Sequence, residues 1–232
     1  KEGRSLDRKY RICEVVARQY FDDHQTLRDT ILKRMRKEVL SPLNEKIGLI
    51  ERLMSQNLWD TINFSLVPGR CLSINRKAFL NMNKNNSVRH PENEVRMTCR
   101  NNLTNHMEGV KNGVGKINGK QLFIHEIMSK FVGDNWGSNI NSLSEAEITL
   151  LELQWDDHRN HYKEMVSSGS GLDKTVVLAD FSGSMAGVPM QVSAAIAIMI
   201  SSLLPKPWNN KFITFDTSPQ LLEIPEGRLV DK

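Results

Sequence analysis

Residues 175–215 leave this chain few architectures. Thr175-Val176-Val177-Leu178-Ala179 is rich in β-branched residues, and its unbroken apolar character predicts a strand buried on both faces, as in a parallel sheet. Residues 188–204 are apolar and alanine-rich enough for a buried helix, and residues 211–215 predict a second strand. Parallel strands need a long, usually helical crossover, so these segments form one strand-helix-strand unit. The first strand runs into Asp180-Phe181-Ser182-Gly183-Ser184. Ligands of open α/β sheets collect beyond the carboxyl ends of the strands, which is where this sequence falls. One carboxylate and two hydroxyls on a tight turn, with Gly183 letting the turn close, are hard oxygen donors suited to Mg2+ or Mn2+. An ion held by so few protein charges stays Lewis acidic and can accept a partner's carboxylate, which favours binding over hydrolysis. The plainer reading is that Asp180, Ser182 and Ser184 cap the following helix.

The 232 residues, 39% of them apolar, suffice for one large domain or two small ones and argue against wholesale disorder. The longest apolar stretch, 192–204, is too short and serine-rich to span a bilayer, and the charged N-terminus lacks a signal-peptide core. An intracellular, cytoplasmic protein without a membrane partner is expected. Cys13, Cys71 and Cys99 lack metal-like spacing and read as buried thiols of a reducing compartment.

Charge is segregated. Residues 1–120 hold 23 basic against 13 acidic side chains, 121–170 hold 3 against 8, and 171–232 hold 5 against 6. Arg28, Lys33, Arg34, Arg36 and Lys37 can build one patch for a polyanion such as RNA, the bland alternative being a solvated helix face. On the other side of that segment Leu27, Ile31, Met35 and Val39 form a helical stripe. The helix should stop near Pro42 and restart there, with Leu43, Ile47, Ile50, Met54 and Leu58 inward, giving two packed helices.

Residues 81–120, rich in Asn, Lys and Gly, predict mostly loop, with a short helix around 95–107. Leu122, Ile127, Met128 and Phe131 suggest another helix, and Ser144 with Glu147 forms a capping box ahead of Ile148, Leu151, Trp155, His158 and Tyr162. His158 and His161 sit near Asp156 and Asp157, but His158 falls on the apolar stripe and reads as a core histidine rather than a metal ligand. Ser-Ser-Gly-Ser-Gly at 167–171 reads as a linker. The expected organisation is a basic helical domain at 1–166, a linker at 167–173 and an α/β unit at 174–232.

Residues 177–185, followed by Gly187-Val188-Pro189-Met190-Gln191-Val192-Ser193, resemble the first strand and metal-ion-dependent adhesion motif of von Willebrand factor A (vWA) domains. Together with Trp208, Lys211-Phe212-Ile213-Thr214-Phe215, Leu58-Trp59-Asp60-Thr61-Ile62, Val67-Pro68-Gly69 and residues 122–127, they resemble a family of unknown function, known from plants and large DNA viruses, that pairs a helical half with a vWA-like C-terminal half. The plan is remotely similar to the Ro ribonucleoprotein family, whose helical TROVE ring binds small RNAs. The implied fold class is α plus α/β: a repeat-like helical region, then the first β-α-β unit of a Rossmann-like vWA domain, apparently truncated. By the resemblance, Ser182 and Ser184 coordinate the ion directly and Asp180 directly or through water. A full site also takes a threonine and an aspartate from later loops, before which the sequence stops; Asp216 and Thr217 are poor substitutes, so a weak or empty site is expected. About 60 residues of α/β unit bury too little surface to stand alone, so something must cover the sheet.

The expected function is noncatalytic binding: RNA or another polyanion on the helical half, and a partner's carboxylate, bridged by Mg2+ or Mn2+, on the vWA-like half. The alternative is a structural or assembly protein of a virus particle or large complex with a vestigial motif. An enzyme fares worst, since there is no phosphate-binding glycine loop or Ser/His/Asp order, and His125-Glu126 lacks the second histidine of a zinc protease motif.

Overall fold

The computed structural model describes residues 9–132, 139–167, 172 and 174–231, so most of the expected linker lies outside the described residues. The chain divides into two compact units, one up to Leu58 and one from Trp59 onward.

In the first unit, α1 (Ile12–Phe21) packs on α2 (Arg28–Met35). Glu14 and Ala17 of α1 and Ile31 of α2 are buried. An acid among these side chains is tolerated because Arg18 at 2.8 Å and Arg28 at 3.1 Å neutralise it. The expected stop at Pro42 does not occur. The helical path continues through a π-turn, Arg36–Leu40, directly into α3 (Ser41–Lys46), and the Ser41 N–H reaches back five residues to the Arg36 carbonyl. Pro42 directly follows that turn, in the first turn of α3, inside a continuous helical path. The expected inward row from Leu43 to Leu58 also fails. α3 ends at Lys46, Gly48 turns the chain with a φ of 64°, and α4 (Ile50–Ser55) starts afresh, leaving Leu43, Ile47 and Leu58 exposed. Of the Leu27 stripe only Ile31 is fully buried; Leu27 precedes the first helical turn and is 79% exposed.

The second unit opens on a short turn, Trp59–Thr61, followed by α5 (Gly69–Phe79), α6 (Glu94–Lys111), α7 (Ile124–Phe131) and α8 (Glu145–Ser167). The short helix expected around 95–107, within a stretch expected to be mostly loop, is present and longer, as α6. Asn93 caps α6 by accepting the Arg96 N–H at 3.0 Å, and a narrow stripe of Cys99, Leu103 and Met107 is buried. Arg96 lies 3.6 Å from the centre of the Trp59 ring and donates to the Ala78 carbonyl at 2.5 Å. α8 starts as expected: the Ser144 N–H donates to Glu147 at 3.1 Å, and Ile148, Leu151, Trp155 and His158 face inward.

The loop at 117–120 is clamped between α5 and α8. Asn118 donates to the carbonyls of Ser65 and Val67, the Gly119 N–H donates to Asp157 at 2.8 Å, and Gln154 donates to the Gly69 carbonyl at 3.1 Å. The backbones approach so closely that a Cβ on Gly119 would lie 2.3 Å from the Gln154 carbonyl oxygen.

The sheet consists of β1 (Leu178–Asp180), β2 (Lys211–Phe215) and β3 (Leu221–Glu223), in that order, with α9 (Val188–Ser201) crossing from β1 to β2. β1 and β2 are parallel, with Leu178 opposite Ile213, and β3 turns back antiparallel. α9 packs on β1 and β2 and α7 packs on α9, so Ala179, Phe212, Ala195 and Met199 share a core with Ile127, Phe131 and Trp155. α9 thus covers one face of the sheet, and α7 packs on α9. Leu178 and Phe215 point the other way and are 60% and 55% exposed, which corrects the expectation of a strand buried on both sides. Among the described residues no helix is long and apolar enough to cross a membrane.

Candidate functional site

Parallel pairing fixes where the Asp-x-Ser-x-Ser sequence falls. Asp180 is the last residue of β1, opposite Phe215, and the Phe181 N–H donates to the Phe215 carbonyl at 3.0 Å, which closes the ladder. The chain then leaves the sheet. Asp180 Oδ1 accepts the Ser182 N–H at 2.9 Å, and the hydroxyls of Ser182 and Ser184 lie 3.0 Å apart. Hydrogen bonds from the Ser182 hydroxyl and N–H hold the Asp180 carboxyl below the usual carboxylate range, so it is ionised at neutral pH. Two adjacent ligands on an octahedral ion with bonds of about 2.1 Å also lie about 3.0 Å apart. The two serine hydroxyls share that spacing, which is also that of the hydrogen bond between them, and all three residues are at least partly exposed.

Gly183 is not what closes this turn. A Cβ there would meet nothing within 4 Å, whereas Gly187, with a φ of 89°, makes the reversal into α9. Asp216 directly follows Phe215, so the parallel register brings a second carboxylate to the same end of the sheet. It accepts the Ser218 N–H at 2.7 Å.

The five basic residues of the first unit do not form one free patch. Arg28 is held by Glu14; Arg34 pairs with Glu38 at 3.1 Å and lies 4.1 Å from the centre of the Phe21 ring. Arg28, Lys33 and Arg36 instead line a cavity of about 280 Å3, with Cys13, Asp29, Leu32, Met35 and Leu40. All five basic residues remain exposed, so the face is cationic but interleaved with apolar side chains. Cys99 is buried, and burial pushes its thiol up to about 11; Cys71 is half-buried and Cys13 exposed, which departs from the expectation of three buried thiols.

His158 is a core residue, stacked on Tyr162 with ring centres 6.1 Å apart. Burial lowers its pKa, against the opposing pull of backbone hydrogen bonds to Leu122 and Gly119 and of the Asp157 carboxylate. The folded state therefore binds this proton less readily than the unfolded chain, whose histidine titrates near 6.5. The stability so conferred is complete above that value and is lost as pH falls below it. The urea midpoint should fall between pH 7 and 5, and His158→Gln should flatten that slope; equal slopes in the two proteins would show that His158 is not responsible. Among the described residues no three His, Cys, Asp or Glu side chains group as metal ligands. Glu126 caps the Phe123 N–H at 3.0 Å and pairs with Arg70, so it serves α7 as a structural residue.

The model of a domain of unknown function, DUF2828, matches residues 2–165, and that of a second domain of unknown function, DUF7788, matches residues 174–232. An uncharacterized protein, L728, of Acanthamoeba polyphaga mimivirus is 26% identical over 200 residues, covering 86% of this chain and 32% of the viral protein. This chain thus spans about a third of that relative's length. No solved structure matches.

Proposed function

We propose that this chain, which belongs to the DUF2828 family, is a noncatalytic binding protein with two contact surfaces. The C-terminal part acts as a vWA-like module, holding a divalent ion at Asp180, Ser182 and Ser184 and bridging through it to a partner's carboxylate. The basic N-terminal face takes a polyanion, RNA being one such partner. The observation that carries the first part is the pair of serine hydroxyls 3.0 Å apart beside an ionised Asp180 at the end of a parallel strand. The ion supplies a Lewis-acidic coordination position; the protein's part is to fix three oxygens and leave the outward side open.

Calorimetric titration with Mg2+ and Mn2+ tests this reading. Binding should weaken about tenfold or more in Ser182→Ala and Ser184→Ala, since each removes one of few protein ligands. Binding that is unchanged in both variants, or absent in the parent chain, would overturn it. The giant-virus relative favours a second reading, an assembly protein with a vestigial motif, and the absence of metal binding would move the balance to it.

A further inference from the structure

We propose that the N-terminal unit is a docking surface for an acidic amphipathic helix. The proposal rests on the reading that this face takes a polyanion, and narrows the polyanion to a peptide with an apolar stripe. α1 is turned inside out for a surface helix: its buried face holds the acid Glu14 with Ala17, while Ile12, Val16 and Tyr20, four residues apart, point outward. These three are 48%, 48% and 64% exposed, and Val15 beside them is exposed as well. A stripe at that spacing is one side of a helix–helix contact. It runs about two helical turns, roughly 12 Å, which matches the anchor spacing of a short partner helix.

Charge identifies the occupant. Cys13 lies three residues before Val16, so the two are neighbours on the helix surface, and Cys13 also lines the cavity that Arg28, Lys33 and Arg36 share with Asp29, Leu32 and Met35. Apolar floor and cationic rim are therefore one continuous surface within this unit. A helix with leucine-like residues on one face and glutamates beside them satisfies both at once. Nucleic acid fits less well, because the aliphatic side chains of Ile12, Val15 and Val16 gain little from a sugar-phosphate backbone. Asp22, Asp23 and Asp29 lie along the same unit and repel a uniformly anionic polymer or lipid surface, whereas a peptide can place its charges selectively.

The test uses the full chain and fluorescence anisotropy with three labelled probes: a helical peptide of about 18 residues with a leucine stripe flanked by glutamates, the same peptide with serine for leucine, and a single-stranded RNA. Co-sedimentation with phosphatidylserine-containing vesicles is run alongside. The leucine peptide should bind about tenfold more tightly than its serine counterpart, and Val16→Ser, at an exposed position, should weaken only the leucine peptide, about fivefold. Arg36→Glu should weaken every anionic probe. If the serine peptide or the RNA binds as tightly as the leucine peptide, the face reads charge alone: the polyanion reading stands and the docking proposal fails. Preferential capture by the vesicles overturns the docking proposal in favour of a membrane surface. No binding of any probe overturns both.

Discussion

Gly119→Ala should cost the second unit on the order of 3 kcal/mol, a large share of an ordinary domain's stability. The new methyl would sit 2.3 Å from the Gln154 carbonyl oxygen, and also 3.1 and 3.2 Å from that residue's carbonyl carbon and Cα. All three atoms are backbone in the middle of a 23-residue helix, so no side chain can swing aside. The loop must move instead, and movement breaks the Gly119 N–H to Asp157 bond and the two Asn118 bonds to the segment before α5. Thermal unfolding followed by circular dichroism measures the effect. A melting temperature within a degree or two of the parent's would mean that the loop does not abut α8 as placed.

Glu147→Ala should be comparably severe, about 3 to 5 kcal/mol. Glu147 is fully buried, 2.9 Å from Arg76 Nε and 3.6 Å from Lys77 Nζ, and accepts the Ser144 N–H and hydroxyl at 3.1 Å each. One carboxylate thus caps α8 and neutralises two cations of α5. Removing it leaves Arg76, itself mostly buried, without its counter-charge, and that uncompensated cation is the larger part of the loss. Glu147→Gln separates the two roles: it keeps the cap and loses the charge, so it should recover part of the stability. Denaturant unfolding of the three proteins would show it; equal midpoints for Ala and Gln would assign the whole effect to the ion pair.

Elements whose residues carry their own signal were legible in the sequence. β2 has the expected bounds, with alternating burial along Lys211–Phe215, and α8 begins where Ser144 and Glu147 form their box. β1 was displaced, expected at 175–179 and found at Leu178–Asp180, because a short edge strand is defined by its pairing with the five residues of β2 rather than by composition. α6 was underestimated because its inward face is a thin line of Cys99, Leu103 and Met107 among polar residues. α5 was not anticipated, and it starts at Gly69, where the backbone of Asn118 approaches too closely for any Cβ. The oxygen cluster at Asp180, Ser182 and Ser184 was legible as residue types on a strand end. The cavity shared by Arg28, Lys33 and Arg36 could not be read, since it depends on elements meeting in space.

β1 has three paired residues and, among the described residues, one neighbouring strand. In parallel pairing only alternate residues turn their amides toward the partner, so half of this strand's N–H groups point to an open side. The stretch carrying Asp180 accordingly belongs to the part of the unit that can open locally while α6 and α8 stay intact. An ion bound there would do its thermodynamic work by closing that local fluctuation, so occupancy would register as slowed amide hydrogen exchange around residues 178–187 well before it raised the global unfolding midpoint.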